Sequence, residues 1–249
     1  MLDNVVELSE LGEGIVQIKM QDKVNKNTFS NELITGLIGA FAEVNANEQY
    51  KVVILTGYDS YFASGGTQDA LLELADGNAK FTDKDLYSLA LNCPIPVISA
   101  MQGHGIGGGL AMGLFADFVI FSRESIYTTN FMKYGFTPGM GATYILPEKL
   151  GIVLAEEMML SAKTYRGEEL KSRGIPFPVI PRNEVMDYAI DLAKSVAEKP
   201  RISLVTLKDH LVKRLREELG KTIEQEVQMH DKTFHQPEVK QRIKEFFGH

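Results

Sequence analysis

Six of the eleven residues from Gly103 to Gly113 are glycine. Each glycine loses more backbone freedom on folding than any other residue, so such a run is costly inside an ordinary helix or strand. It belongs where the chain turns tightly or comes very close to something. It follows Pro94-Ile95-Pro96-Val97-Ile98-Ser99-Ala100, an apolar stretch with its prolines at the start, as in a buried strand. Two readings stay open. Gly103-His104-Gly105-Ile106-Gly107-Gly108 matches G-x-G-x-x-G, and Glu124 stands 21 residues after Gly103 at the end of another candidate strand. That is the context of a dinucleotide-binding turn. Against it, the stretch from Gly109 to Phe118 is short for a crossover helix, and the run comes late for a fingerprint that usually opens its domain. No Gly-Lys-Ser/Thr follows, which excludes a phosphate-binding P-loop. The other reading uses the glycines as backbone donors. N–H groups at a helix start have no intrahelical partner and can hold a developing oxyanion. Ser64-Gly65-Gly66-Thr67, after Tyr61-Phe62, offers a second turn of the same chemistry. Two tight turns packed closely for geometry alone would look the same.

The totals narrow the field. The chain has 249 residues, 44% hydrophobic and 24% charged, which suits one globular unit. The net charge of −7 argues against a nucleic-acid partner. The single Cys93 excludes an intramolecular disulfide and a cysteine-based zinc site, and no His, Cys, Asp or Glu grouping has metal-ligand spacing. No apolar run approaches the ~18 residues of a membrane helix, and the start MLDNVVELSELGEG lacks a basic region ahead of an apolar one. A cytoplasmic protein is expected, without membrane contact.

Ile15–Met20, Lys51–Gly57, Phe118–Phe121 and, more weakly, Phe177–Ile180 have strand patterns. Ser30 is placed to cap a helix carrying Leu33, Leu37, Phe41 and Val44 at helical spacing. Alternating strands and helices make the class α/β. Residues 1–195 form the expected core and 196–249 a helical region, with breaks near Gly220 and Pro237. Lys208, Lys213, Arg214, Arg216 and Lys221 give that region a basic surface, either a solvated face or one suited to an acidic partner. In it Ile223, Val227, His230 and Phe234 are spaced by 4, 3 and 4, which puts His230 on an apolar stripe. His104 is expected to be structural; His210, His235 and His249 are expected at the surface.

These segments together resemble the crotonase (enoyl-CoA hydratase/isomerase) superfamily. The resemblance is carried by Asn25-Lys26-Asn27-Thr28-Phe29, the helix through Val44, Val53-Ile54-Leu55-Thr56-Gly57, Phe62-Ala63-Ser64-Gly65-Gly66, Gly103 to Gly109, and Pro138-Gly139-Met140-Gly141. It implies a spiral of ββα units with a C-terminal helical trimerisation region, hence a homotrimer. It also implies an acyl thioester of CoA or carrier protein as substrate, no cofactor, and an oxyanion hole made by the N–H groups of Gly66 and Gly108.

Where hydratases of the family carry two glutamates, this sequence has Ala111 and Phe131, and Thr67 replaces the acid that usually follows the first oxyanion turn. Adding water needs a base and an acid, so hydration is not expected. Losing CO2 needs only a place for the electrons, which the oxyanion hole supplies. The sequence is similar to the decarboxylases of polyketide β-branching. That implies conversion of a 3-methylglutaconyl-type thioester on a polyketide synthase acyl carrier protein to a 3-methylcrotonyl-type thioester through a dienolate. It also implies catalytic roles for Lys80, as carboxylate ligand first and general acid second, and for His230, as an imidazole titrating near neutral pH. Tyr87, Ala111 and Phe131 are expected along the pocket. The competing readings are a Δ3,Δ2-enoyl thioester isomerase and a non-catalytic trimeric scaffold for a carrier protein.

Overall fold

The computed structural model describes residues 5–247; His249 lies outside them. Strands β1 (Val6–Gly12) and β2 (Ile15–Met20) form an antiparallel hairpin. Helix α1 (Asn31–Ala46) starts where Ser30 predicts, with the Ser30 hydroxyl accepting from the Leu33 N–H at 3.1 Å. Leu33, Leu37, Phe41 and Val44 lie on its buried stripe.

A ββα unit then occurs three times. The first is β3 (Val52–Thr56), β4 (Tyr61–Ala63) and α2 (Gln68–Ala75). After the short α3 (Leu89–Asn92), the second is β5 (Val97–Met101), β6 (His104–Ile106) and α4 (Gly108–Leu114). The third is β7 (Phe118–Ser122), β8 (Ile126–Thr128) and α5 (Ala142–Leu150), continued by α6 (Ile152–Ser161). A last passage adds β9 (Thr164–Arg166), α7 (Gly167–Ser172), β10 (Val179–Ile180) and α8 (Val185–Ala197). The first strand of each unit joins a six-stranded sheet of order β1-β2-β3-β5-β7-β10, parallel from β2 onward; the second joins a four-stranded sheet of order β4-β6-β8-β9. The large sheet is covered on both faces. Val185, Ala189 and Ala193 of α8 pack with Ile54, Ile98 and Ile120 on one, and the main core lies on the other. That is why its strands read as unbroken apolar runs.

This topology closes the dinucleotide reading. The glycine run leaves the large sheet altogether: β6 belongs to the small one, and α4 has only seven residues. The Glu124 carboxylate is occupied, accepting from the Arg182 N–H at 2.9 Å.

Helices α9 (Arg201–Thr233) and α10 (Pro237–Phe246) complete the chain. Two expectations fail here. The helix does not break at Gly220, which lies inside α9 with open space around it; one such glycine costs only about 1 kcal/mol, and a helix of 33 residues absorbs it. Nor does Lys208 belong to the basic surface, although Lys213, Arg214 and Lys221 remain on a solvated face. Lys208 is buried, with its ammonium 2.7 Å from Asp117 and on the carbonyls of Ala90 and Ile95. Arg214, Arg216 and Lys221 pair with Glu148, Asp209 and Glu218. Leu219, Phe234, Val239 and Ile243 of these helices belong to the main core. Among the described residues no helix is long and apolar enough to cross a membrane.

Candidate active site

The parallel pairing of β4 with β6 aligns Tyr61 with His104 and Ala63 with Gly105, so the turns after the two strands emerge side by side. A Cβ placed on Gly65 would sit 3.4 Å from the Gly108 nitrogen. Gly65 and Gly107 have φ of +75° and +55°, which favours glycine. At Gly109 a Cβ would lie 2.2 Å from the Ala63 carbonyl oxygen, so no side chain fits. The first turn is bracketed by the Asn25–Phe29 stretch. The buried Asn27 amide donates to the Met20 and Phe62 carbonyls at 3.1 and 2.9 Å, and the Ser64 N–H returns to the Asn27 carbonyl at 3.0 Å. Gly108 opens α4, where an N–H has no intrahelical acceptor. Among the described residues neither its N–H nor that of Gly66 donates to a protein acceptor.

A cavity of about 270 Å³ lies in front of these two groups. Lys80, Phe131 and His230 line it together with Gly66 and Gly108. Phe29, Phe81, Phe136, Met140 and Phe234 make much of its wall apolar. Two expected pocket residues do not line it. Tyr87 is buried behind Phe81, ring centroids 6.3 Å apart, and burial pushes its phenol up to about 12. Ala111 is fully buried in α4 and packs in the core. Ala111, three residues after Gly108, shares its face of α4, but its one-carbon side chain ends in the core and does not reach the cavity.

Lys80 sits just beyond α2. Its N–H donates to the Asp83 carboxylate at 2.8 Å, and its exposed ammonium has no ion-pair or hydrogen-bond partner among the described residues. His230 reaches the same end of the cavity from α9. Its Nε2 is 2.9 Å from the Thr137 carbonyl oxygen. A carbonyl only accepts, so Nε2 carries the hydrogen and Nδ1 is bare. The rings of Phe234, Phe81 and Phe136 surround the imidazole at 4.8, 5.0 and 6.2 Å. Burial pushes its pKa down to about 4, against the opposing pull of the Thr137 and Pro138 carbonyls. The near-neutral titration expected for His230 is therefore not found, because the charged form loses more hydration than two carbonyls restore. His104 is structural as expected, its Nδ1 accepting from the Ile126 N–H at 3.1 Å.

Sequence reasoning missed three neighbours. Glu226, fully buried, accepts from the Gly141 N–H, the Thr143 N–H and the Thr143 hydroxyl at 2.7, 2.9 and 2.7 Å. Burial raises its pKa, and those hydrogen bonds oppose the rise. One helical turn before His230, it pins α9 to the Pro138–Gly141 turn, where a Cβ on Gly139 would lie 2.7 Å from the His230 ring. A carboxylate three residues after Ile223 on the apolar stripe was the available signal. Met140, at φ +62°, places its sulfur 2.5 Å from where a Cβ on Gly108 would be. Tyr134 lines the cavity from the segment after Phe131. For these two the sequence carried no signal. Among the described residues no three His, Cys, Asp or Glu side chains converge as metal ligands would.

Residues 10–248 match the family model described as enoyl-CoA hydratase/isomerase. The chain is 64% identical over 248 residues to the bacillaene synthase decarboxylase PksI of Bacillus subtilis, with 100% of each covered. It superposes with a TM-score of 0.98 on a chain from a dehydratase/decarboxylase enzyme couple involved in polyketide β-branching, at 64% identity, covering 98% of this chain and 100% of that one. With the ECH2 decarboxylase domain of CurF from Lyngbya majuscula the TM-score is 0.94 and the identity 50%, covering 98% and 99%.

Proposed function

The chain belongs to the enoyl-CoA hydratase/isomerase family, and from that premise we propose that its cavity binds a 3-methylglutaconyl-type thioester carried on an acyl carrier protein. Within the family it is a decarboxylase of polyketide β-branching. The observation that carries the substrate reading is the pairing of two unspent N–H groups with an unpaired ammonium across one largely apolar cavity. The thioester oxygen sits between the N–H groups of Gly66 and Gly108. Lys80 holds the carboxylate, and His230, which shares with Lys80 the small side chamber of about 80 Å³ beside the main cavity, is the second polar group at that end. A carboxylate arriving there favours the protonated imidazole and works against the burial that keeps it neutral.

The aromatic walls strip water from the carboxylate, which favours its loss as CO2. The electron pair of the broken C–C bond passes into the thioester and rests on the held oxygen; each such donor is worth roughly 10²–10³-fold in rate. Protonation of the dienolate gives the 3-methylcrotonyl-type thioester. Phe131 on the cavity wall leaves no carboxylate there to activate water. The same pocket suits a CoA thioester, but a carrier protein is the proposed partner. A homotrimer is also proposed, supported by exposed apolar side chains on α6 and α9, among them Val153, Leu160, Ile202 and Leu211.

Mass spectrometry of a 3-methylglutaconyl carrier protein incubated with the enzyme tests the reading. Loss of CO2 is expected, slowed about 10²-fold in Lys80→Ala, where one partner of a charge pair is removed. Gain or loss of water overturns it. Turnover of the uncarboxylated thioester alone would mark an isomerase, and binding without turnover a scaffold.

A further inference from the structure

A carrier protein stays outside the cavity and must meet its rim. Asn31, Glu73, Lys80, Asp83 and Lys84 line the cavity and yet are exposed, so they mark its mouth. Beside Asn31 runs the turn 22–27, tied to the first oxyanion turn by the Ser64 hydroxyl, which donates to the Lys26 carbonyl at 2.7 Å. This turn presents Lys23, Val24 and Lys26 to solvent. Val24 is 91% exposed, more than any other large apolar side chain among the described residues. Neither lysine has an ion-pair partner among those residues; the Lys26 ammonium lies 5.9 Å from the Tyr61 ring. The acid of the turn, Asp22, is buried and already engaged. Its carboxylate accepts from the Asn25 N–H and side-chain amide, both at 2.9 Å, and from the Ser30 hydroxyl at 3.2 Å. The Asn27 N–H closes the turn on the Asp22 carbonyl at 3.0 Å. Lys26 and Asn27 are held at φ of +53° and +52°, a conformation that persists only where surrounding contacts impose it. On the other rim Glu73 and Asp83 stand with Lys80 and Lys84, which leaves the turn as the positive side of the mouth. In a chain of net charge −7, such a cluster draws an acidic partner that the rest of the surface repels.

We propose that the turn bearing Lys23, Val24 and Lys26 is the docking point for an acidic face of the carrier protein, an assignment that rests on the carrier-borne thioester described above. The two ammonium groups steer that face and fix its register. Val24 is the apolar contact that the carrier covers. The arm bearing the thioester then passes Ser64 and enters the cavity, where Gly66 stands two residues further along the same turn. Because the turn is shaped before the partner arrives, docking loses little to ordering it.

The test compares the wild-type protein with Lys23→Glu/Lys26→Glu and with Val24→Ser on two substrates. One is the 3-methylglutaconyl carrier protein; the other carries the same acyl group on pantetheine, with neither carrier nor phosphate. For the carrier substrate KM should rise about tenfold in the charge-reversed variant and about threefold in Val24→Ser, with kcat unchanged. On the pantetheine thioester both variants should match the wild type within about twofold. Added salt should raise the wild-type KM for the carrier substrate but not that of the charge-reversed variant. An unaltered carrier KM in both variants overturns the proposal. So does an equal loss on both substrates, which is the mark of a turn needed by the cavity itself. A changed oligomeric state of Val24→Ser in sedimentation also overturns it, because the valine then belongs to a contact between copies of this chain. If the double variant melts early, Lys23→Glu alone carries the test, since that side chain has no bonded partner among the described residues. If the wild type releases no CO2 from either thioester, the decarboxylation reading has failed. Calorimetric binding of the holo carrier protein to wild type and variants then still decides the docking.

Discussion

On one side of the cavity the working groups are backbone N–Hs, those of Gly66 and Gly108, set by the pairing of two neighbouring strands. On the other they are side chains, Lys80 from the segment after α2, whose N–H bonds locally to Asp83, and His230 from α9, held by hydrogen bonds between parts of the chain distant in sequence. On the oxyanion side Gly65 and Gly109 leave no room for a side chain, because a Cβ there would lie 3.0 and 2.2 Å from the Ile106 and Ala63 carbonyl oxygens. On the helical side α9 is tied to a distant turn, His230 on the Thr137 carbonyl and Glu226 on the Gly141 N–H. The charge-accepting side is thus set by strand pairing and close backbone approach, and the polar end by the docking of a helix.

The largest effect should come from disturbing the oxyanion side. In Gly109→Ala the new methyl meets the Ala63 carbonyl oxygen at 2.2 Å. A cost of at least about 3 kcal/mol is expected, seen as a fall of roughly 6–12 °C in Tm. An unchanged melt would remove the close approach as the reason for that glycine.

The helical side should show its character in the pH dependence of stability. His230 is held down to about 4 in the fold, below the ~6.5 of an unperturbed imidazole. The unfolded chain then binds the extra proton first, so this contribution is complete above pH ~6.5 and is lost as pH falls toward 4. The loss amounts to about 3 kcal/mol at most. Urea unfolding at pH 7 and pH 4.5 should show a smaller difference for His230→Gln than for the wild type. Glu226, whose pKa is raised, shifts stability in the opposite sense in both proteins and cancels in that difference. Equal pH sensitivity in the two would mean that His230 is not desolvated as described.

The smallest effect is expected far along α9. Arg214 is 69% exposed at its ion pair with Glu148. Arg214→Ala should change stability by less than about 1 kcal/mol and leave KM for a carrier-bound thioester unaltered. A marked rise in KM would restore the mid-helix basic run as a docking face.

The inner strands of the large sheet were legible because, buried on both faces, they are plain apolar runs; the edge strand β1, mostly exposed, was not. The small sheet was not: β4, β6, β8 and β9 have three residues each, too few for a period to register. In the basic run on α9 only Lys208 departs from the expected surface, because Asp117 pairs with it from another element; Lys213, Arg214 and Lys221 stay exposed. Lys80 and His230 came from a family resemblance rather than from spacing, although the apolar stripe did place His230 inward. Glu226 acts through Gly141 and Thr143, partners that the linear order does not bring near it.

The sequence by itself determined the oxyanion side. A need for glycine is a property of one backbone position, imposed by a left-handed φ or a neighbouring carbonyl, and it is written there whatever the rest of the chain does. Only the tertiary structure decided the protonation state of His230, the fate of the α9 lysines and arginines, and which tyrosine faces the cavity. Those depend on how much water a side chain keeps and which charges stand beside it, and the neighbours that set both come from distant parts of the chain.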